Sequence, residues 1–399
     1  MTPRSRAQLR APPSKRLKVA VFHPAMRLGG SEIATMWAVE ALESHHDVSL
    51  LTGARADLER LNQLSQTSCR PDEVTLRAAR IAPAWGAVPG DALRGALFSR
   101  FCRRVADEYD VLISGYNVID FGCPAIHRVA DFSWDAAFRG ELRPSLHSSS
   151  SRWARFGYDR VVSAVAPPTG HDPYSPPSII LANSAWTAAR LSNRLGVTSR
   201  VLYPPVPGQP FQVPIEQQER SFVYVGRIAV EKRIEEIVEI VTRLRLRHGI
   251  GLTIIGAIDG AYARGLVEDC AIQAPWVRFE GPLLGDDKHR ALARHRYGIH
   301  AHRGEAFGIG VAEMVRSGSI VFVPKSGGPA EIVSHEALAY DGVEDGVAKI
   351  GAVLDDPGLE LELRAHLQRR ASCFSTEAYM KGIVKVVEEF AETVRASGR

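Results

Sequence analysis

Short, mainly apolar runs alternate with longer amphipathic stretches along most of the chain. The runs of five to seven residues lie at 17–23, 47–53, 109–115, 124–130, 178–184, 221–226, 251–256, 277–281, 298–302 and 319–324. The segments 31–43, 231–249 and 377–396 place their apolar residues at helical spacing. In the second of these, five residues share one face: Ile234, Ile237, Val238, Val241 and Leu244. Strands that alternate with helices are typical of a parallel sheet, so the pattern predicts an α/β protein.

A proline-rich segment divides this alternation into two halves. Residues 203–214 contain five prolines in twelve positions, and the pattern of strands and helices restarts beyond them. We therefore expect one α/β unit at 17–205, a second at 206–376, and a C-terminal helix at 377–399 that packs back on the first unit. Residues 1–16 carry five basic residues, three prolines and no acid, which predicts a disordered basic tail.

Composition narrows the class of protein. The 399 residues are 45% hydrophobic, and no run approaches the roughly 18 apolar residues that a membrane span needs. None of the five cysteines lies in a CxxC pair, which favours a reducing compartment over a disulfide framework and predicts a cytoplasmic protein. The net charge of +4 is mild and no recognised nucleic-acid-binding module accompanies it, so we expect no nucleic acid partner.

Positive charge is concentrated in the first half of the chain. Residues 60–105 contain eight arginines against three acids. Apolar residues interleave with the last four of these arginines: Leu93, Leu97, Phe98 and Phe101. Two interpretations are open, a basic amphipathic segment that rests on the anionic inner face of a membrane, or a solvated basic face over an ordinary buried stripe. Three interpretations of the basic tail are likewise open. It is a solvated extension without a function, an arm that is attracted to anionic phospholipid, or a transit peptide.

Glycines and cations follow predicted strands in both halves. Gly29 and Gly30 come after the first strand and open a helix, a setting that suits a phosphate or a sugar, although a plain tight turn explains the same residues. Gly226 and Arg227 end the first strand of the second half, and Lys232 lies five residues on. Two cations at the carboxyl end of a strand suit a diphosphate, and a pair of surface basic residues is the alternative.

The most specific pattern lies at 304–333. Glu305 precedes a helix whose first turn contains Gly308, Glu313 follows eight residues after Glu305, and a second glycine-rich helix start follows at 326–329. Two such starts provide two groups of backbone N–H donors. Two carboxylates at this spacing can bind hydroxyls on neighbouring parts of one ligand, whereas a solvated Glu313 on a helix face is the plain alternative.

These elements together resemble a known enzyme family. The Glu305-x7-Glu313 element, the Arg227 and Lys232 element and the glycine loop after the first strand are similar to those of the GT-B-fold retaining glycosyltransferases of the GT4 family. Residues 300–333 look most like the eukaryotic mannosyltransferases that extend dolichol-linked oligosaccharide. The resemblance implies two Rossmann-like parallel-sheet domains that face each other across a cleft, the first binding the acceptor and the second the nucleotide sugar.

Residue by residue, the resemblance implies a donor site shared by both domains. Arg227 and Lys232 would hold the donor diphosphate and stabilise the departing nucleotide. Glu305 would contact the donor sugar, and Glu313 the ribose hydroxyls. Backbone N–H groups would approach the sugar and the phosphate at three positions, Phe307, Gly308 and Ile309.

The first domain would complete this site. Gly30, beside Gly29, would lie next to the diphosphate, opposite Gly226 of the second domain. His127, after the strand-like residues 123–126, would face the donor sugar, and a packed or surface imidazole is the alternative. The implied catalytic residues are thus His127, Arg227, Lys232 and Glu305.

The expected reaction needs no metal ion and no cofactor besides the nucleotide sugar, because the chain has no DxD triplet and no paired His-Cys spacing. The resemblance implies a retaining transfer of a hexose from a nucleotide diphosphate sugar, GDP-mannose or a UDP-sugar, to a hydroxyl of a glycan, lipid-linked or small-molecule acceptor. A nucleotide-sugar 2-epimerase on the same fold and a non-catalytic nucleotide-sugar-binding protein are the alternatives.

Overall fold

The computed structural model describes residues 16–27, 29–79, 91–132, 160–208 and 213–397. Most of the predicted basic tail therefore lies outside the described residues, as do parts of the proline-rich segment. No helix in the described ranges is long and apolar enough to cross a membrane.

The first half forms a sheet of seven parallel strands. These are β1 (Lys18–His23), β2 (Asp47–Thr52), β3 (Val74–Ala78), β4 (Val111–Ser114), β5 (Ile126–Val129), β6 (Ile179–Ala182) and β7 (Arg200–Val201), in the order β3-β2-β1-β4-β5-β6-β7. The helices with it include α1 (Gly30–Glu43), α2 (Leu58–Ser65), α3 (Asp91–Val105) and α4 (Ala185–Leu195). Every residue of β1 after Lys18 is buried, as expected for a strand covered on both faces.

The second half forms a sheet of six parallel strands. These are β8 (Glu219–Val225), β9 (Leu252–Ile255), β10 (Val277–Phe279), β11 (His295–Ile299), β12 (Ile320–Pro324) and β13 (Ala339–Tyr340), in the order β10-β9-β8-β11-β12-β13. Its helices include α5 (Ile234–His248), α6 (Gly260–Gln273), α7 (Gly285–Ala293), α8 (Ile309–Arg316), α9 (Gly328–Val333), α10 (Gly342–Asp355) and α11 (Pro357–Ala371). The prediction of an α/β protein with two Rossmann-like parallel sheets is confirmed.

The last helix, α12 (Thr376–Ala396), returns to the first sheet. Tyr379, Ile383 and Phe390 belong to the apolar core that surrounds β1 and α1. The Tyr379 hydroxyl donates a hydrogen bond of 2.9 Å to the Ala34 carbonyl on α1. The C-terminal helix thereby connects the end of the chain to its first domain.

Both sheets have a point where the strand order reverses. In the first sheet β1 lies between β2 and β4, and in the second β8 lies between β9 and β11. Successive crossovers leave in opposite directions there, which opens a crevice outside the carboxyl ends of the strands. The loops that follow β1, β8 and β11 are therefore the natural places for ligand-binding residues.

Several predicted boundaries need correction. The strand predicted at 298–302 is β11, which ends at Ile299, so His300 and His302 lie in the loop beyond it. The helix predicted from residue 231 begins at Ile234, because Arg233 adopts a φ of +52° and ends a short 3₁₀ turn at 230–232. Helix α1 has Gly29 as its N-cap, and the Ser31 hydroxyl donates to the Glu32 carboxylate at 2.6 Å.

The basic segment at 60–105 is described at both ends, and its helix α3 packs against the first sheet. Phe98, Cys102 and Val105 are buried in one apolar cluster with β1 residues. Arg103 is held by the side chain of Asp120 at 2.8 Å. Of the four apolar residues that interleave with the arginines, Phe98 is buried, whereas Leu93, Leu97 and Phe101 are only partly buried. The packing of α3 therefore supports a buried stripe, and it leaves contact with a membrane surface untested.

Candidate functional site

The loops after β8 and β11 bring Lys232 and Glu305 into contact. The Lys232 ammonium donates to Oε2 of Glu305, and the two side chains are 12% and 22% exposed. Lys232 ends the 3₁₀ turn after β8, whereas Glu305 follows the turn after β11. The two residues are 73 positions apart in the chain. The reversal of strand order between β8 and β11 makes their loops neighbours at one sheet edge.

Two histidines converge on the same carboxylate oxygen. His302 Nδ1 lies 2.6 Å and His300 Nε2 3.5 Å from Glu305 Oε2. Burial alone would raise the pKa of Glu305, but the interactions with His300 and His302 and the charge of Lys232 hold that pKa well below its usual range. The same nitrogen of His302 also lies 3.2 Å from the Lys232 ammonium, so its role as donor or acceptor follows the tautomer of the ring. Sequence reasoning missed both histidines, although their H-x-H-x-x-E spacing is visible.

A buried carboxylate fixes the two loops to each other. Glu236 of α5 is 7% exposed and accepts from Arg233 Nε at 2.7 Å and from Arg303 Nη2 at 3.0 Å. Arg233 directly follows Lys232, and Arg303 lies between His302 and Glu305 in the neighbouring loop. A buried, doubly paired carboxylate of this kind holds its partners in one geometry. Glu236 is therefore a positioning residue for the site.

Glycines allow the Glu305 loop to lie directly on the start of α9. The Gly328 amide donates to the Glu305 carbonyl at 2.8 Å. A Cβ built on Gly328 would lie 2.3 Å from the Ala306 oxygen and 2.6 Å from the Phe307 Cα, both backbone atoms. The backbone can approach this closely only where no Cβ exists.

Alanine at position 328 is expected to lower the free energy of unfolding by about 3 kcal/mol, because backbone atoms cannot move aside as a flexible side chain does. Urea denaturation of the full chain measures this change. Gly265→Ala is the matched control, since a Cβ there meets open space on helix α6 and is expected to stabilise by about 0.5–1 kcal/mol. Equal stability of the two variants would contradict the close approach.

The glycine loop after β1 reaches the second domain. A Cβ built on Gly30 would lie 2.2 Å from Cδ1 of Ile309 in the first turn of α8. Gly308, which caps α8, adopts a φ of +97°. The loop at Gly29 and Gly30 and the N-terminus of α8 thus face each other across the two domains. Phe307 is buried beside them and its side chain belongs to the core of the second domain.

The other predicted residues of the second domain lie differently. Arg227 is 75% exposed and pairs with Glu231 at 3.2 Å, so it does not join the cluster at Glu305. Gly226, with a φ of +153°, lets the chain turn out of β8. Glu313 on α8 is 6% exposed and accepts from Lys288 of α7 at 2.5 Å. The alternative of a solvated Glu313 is wrong, and Lys288 is a partner that the sequence did not indicate.

His127 lies apart from these residues. The prediction that His127 follows a strand at 123–126 is wrong, because His127 lies inside β5. None of its surface is exposed, and its ring stacks on Phe121 with centroids 5.8 Å apart. Burial is the main cause that lowers its pKa to about 3, so the imidazole is neutral near pH 7. A fully buried ring does not face the crevice. The position matches the alternative of a packed imidazole.

Residues of the first domain also hold the Glu305 loop. The Ser184 hydroxyl, after β6, donates to the Ala306 carbonyl at 2.6 Å, and the Thr187 hydroxyl approaches the same oxygen at 3.3 Å. Glu331 of α9 accepts from the Ala185 amide at 2.7 Å, at the N-terminus of α4. A carboxylate at the positive end of a helix is stabilising. The first domain therefore helps to position the loop that carries Glu305.

Part of the second half matches a described protein family. Residues 207–372 match the family Glycosyl transferases group 1. The chain is 25% identical over 230 residues to the GDP-Man:Man(3)GlcNAc(2)-PP-Dol alpha-1,2-mannosyltransferase of Mus musculus, which covers 50% of this chain and 46% of that protein. It is 29% identical over 183 residues to the Sulfoquinovosyl transferase SQD2 of Arabidopsis thaliana, covering 43% and 34%. The matched region thus spans about half or less of these relatives.

Solved structures match over nearly the whole chain. The Anabaena protein HepE in complex with UDP-glucose superposes with a TM-score of 0.65 at 14% identity, covering 94% of this chain and all of that one. WaaG, a glycosyltransferase involved in lipopolysaccharide biosynthesis, gives a TM-score of 0.65 at 15% identity, covering 92% and 99%. At this level of identity the likeness shows the fold. By these matches the chain has the GT-B fold and carries a glycosyl transferases group 1 domain.

Proposed function

We propose that this chain is a retaining glycosyltransferase that moves a hexose from a nucleotide diphosphate sugar to an acceptor hydroxyl. The observation that carries the proposal is the contact of Lys232 with Glu305 at the switch point of the second sheet. It supports a donor site because a cation and a carboxylate side by side match the two parts of such a donor, its diphosphate and its sugar hydroxyls. The match of residues 207–372 to group 1 glycosyl transferases supports the same activity.

In the proposed mechanism, Lys232 stabilises the departing nucleotide diphosphate. The negative charge on the leaving oxygen grows as the glycosidic bond to the phosphate breaks, and a fixed ammonium nearby lowers the barrier. Arg227, exposed at the mouth of the same loop, provides a second cation for the diphosphate. The leaving phosphate takes up the proton of the acceptor hydroxyl on the same face of the sugar. No metal ion is required for this charge balance.

Glu305 binds the donor sugar in this proposal. Its Oε2 is occupied by Lys232 and His302, and Oε1 has no hydrogen bond from the described residues, so Oε1 is the oxygen that accepts from a sugar hydroxyl. The backbone N–H groups at Gly308 and Ile309 meet the phosphate opposite Gly30. Glu313, buried against Lys288, is assigned to the ribose hydroxyls.

Two versions of the proposal differ in the base of the donor nucleotide. The mannosyltransferase relatives name GDP-mannose, whereas the HepE structure holds UDP-glucose. A thermal-shift panel of GDP, UDP, ADP and their sugars discriminates them, since a ligand at one hundred times its Kd stabilises the native state by about 2.7 kcal/mol. We expect the nucleotides of one base to raise the Tm clearly more than those of the other two. If no nucleotide or nucleotide sugar raises the Tm, the donor site is refuted.

The acceptor is assigned to the first domain, as a glycan, lipid-linked or small-molecule hydroxyl. A membrane-bound acceptor would bring the chain to the inner face of a membrane as a peripheral protein. Flotation with anionic and neutral vesicles tests that step separately from catalysis.

The contact between Ser184 and Ala306 leads to a prediction for donor binding. Ser184→Ala removes the hydrogen bond that holds the Glu305 loop, and such a bond contributes about 0.5–1.5 kcal/mol. We expect the donor KM to rise about threefold to tenfold, measured by steady-state kinetics with varied nucleotide sugar. Ser192→Ala, on the exposed side of the same helix α4, is the control and should keep the wild-type KM. An unchanged donor KM in Ser184→Ala would show that the loop holds its position without the Ser184 hydroxyl.

A further inference from the structure

Three ligand-type side chains converge beside Lys232. One nitrogen each of His300 and His302 and a carboxylate oxygen of Glu305 all lie within 4.8 Å of one another. The residues come from a single loop after β11, and H-x-H-x-x-E brings them together within six positions. The proposed transfer gives the carboxylate a role but none to the two imidazoles.

His300 is the unusual member of this group. It is 4% exposed, and neither of its ring nitrogens has a hydrogen-bond partner among the described residues. Its Nε2 lies 3.5 Å from Glu305 Oε2, beyond a good hydrogen bond. Burying an imidazole without partners is unfavourable, and buried polar groups normally have one. A ligand bound between His300 and Glu305 would provide the missing partner.

We propose that His300, His302 and Glu305 bind a divalent cation of the zinc type, and that this cation competes with binding of the nucleotide sugar donor. Two imidazoles and one carboxylate are a ligand set that Zn²⁺ accepts, with a water molecule in the fourth position. Hard cations such as Mg²⁺ prefer an all-oxygen shell and would bind poorly to two imidazoles.

Lys232 explains why cation and donor compete. Its ammonium contacts Glu305 Oε2 and lies 3.2 Å from His302 Nδ1, so it stands where the cation must bind. Two positive groups cannot share that oxygen at contact distance, so the lysine side chain must move away. Cation binding itself is independent of the proposed function, whereas the competition rests on it.

Calorimetric titration of the metal-free full chain with ZnCl₂ tests the site. We expect one Zn²⁺ per chain, bound at least about tenfold more weakly by His302→Ala, which loses one ligand. Lys232→Met keeps the side-chain stem but removes the charge, so it is expected to bind Zn²⁺ about tenfold more tightly. A purely structural lysine would give no such gain. Co²⁺ in place of Zn²⁺ reports the coordination geometry by its visible absorption.

His366→Ala is the matched control for zinc binding. The rings of His335 and His366 lie 5.4 Å apart on another part of the second domain and offer a competing pair. This variant should bind Zn²⁺ as the wild type does. The proposed zinc site is refuted if Zn²⁺ does not bind stoichiometrically or if His302→Ala binds Zn²⁺ with unchanged affinity. It is also refuted if the affinity for Zn²⁺ falls in His366→Ala instead.

Competition is measured on the wild type by repeating the zinc titration with saturating nucleotide sugar, after subtracting zinc binding to the nucleotide alone. We expect the apparent Kd for Zn²⁺ to rise at least about tenfold. If Zn²⁺ binds as expected and the donor leaves its Kd unchanged, the cation site stands and the competition with the donor is refuted. If donors raise the Tm while no zinc binds, the proposed function stands and the cation site is refuted.

Discussion

Lys232→Ala is expected to lower kcat/KM by about 10²–10³-fold, the loss typical when a group that stabilises leaving-group charge is removed from an enclosed site. The side chain is 12% exposed, so its charge acts with little screening by water. Nucleoside diphosphates and nucleotide sugars should both bind more weakly, because both carry the diphosphate. Initial-rate kinetics and calorimetric binding of the favoured nucleotide measure these two effects.

The control for this variant separates charge from folding. Lys385→Ala removes a lysine that is 77% exposed on α12 and should leave kcat/KM unchanged. Circular dichroism and thermal unfolding establish that Lys232→Ala is folded. Wild-type turnover from a folded Lys232→Ala protein would refute the assignment of Lys232 to the diphosphate.

The contact of Lys232 with Glu305 illustrates what sequence can predict. Each residue follows a strand with a strong buried pattern, and parallel strands put their carboxyl ends at one edge. The order of β8 and β11 then makes the two loops neighbours, although 73 positions separate the residues. The fold class and the glycine turns at both helix starts follow from such local patterns, whereas a shared donor site for Lys232 and Glu305 was implied by the family resemblance.

The missed histidines show where the pattern is ambiguous. GIHAH at 298–302 alternates small, apolar and histidine side chains, so periodicity alone extends the strand through His302. In the structure β11 ends at Ile299, and both imidazoles become loop residues beside Glu305. Strand ends depend on pairing with neighbouring strands, and β12 pairs with β11 only as far as Ile299. A sequence does not show that limit.

Contacts between the two domains could not be predicted for a different reason. Ser184 and Ala306 are 122 positions apart and belong to different sheets. Their hydrogen bond depends on how one domain is placed on the other, which no local pattern records. His127 is the converse case. The apolar run at 124–130 predicts a strand there, but the burial of His127 inside that strand depends on packing against Phe121.

Glu305→Gln is expected to separate the sugar from the diphosphate. Glutamine keeps the shape of the side chain but removes the charge that holds Lys232 and His302. Nucleotide sugar should bind about tenfold or more weakly, because a hydrogen bond to a charged acceptor contributes about 1.5–3 kcal/mol. The bare nucleoside diphosphate should bind at least as tightly as to the wild type, because Lys232 no longer shares its charge with a carboxylate.

Lys232→Ala is expected to weaken both ligands, whereas Glu305→Gln is expected to weaken only the nucleotide sugar. The two variants therefore test the assignment of Lys232 to the diphosphate and of Glu305 to the sugar independently. Calorimetric titration of each variant with the nucleoside diphosphate and with its sugar gives four affinities, and Glu344→Gln, a carboxylate 83% exposed on α10, serves as the control. If Glu305→Gln weakens both ligands equally, Glu305 acts only by holding Lys232 in place. If it weakens neither, the sugar lies elsewhere in the crevice. Selective loss of the nucleotide sugar is the result that a carboxylate bound to sugar hydroxyls requires.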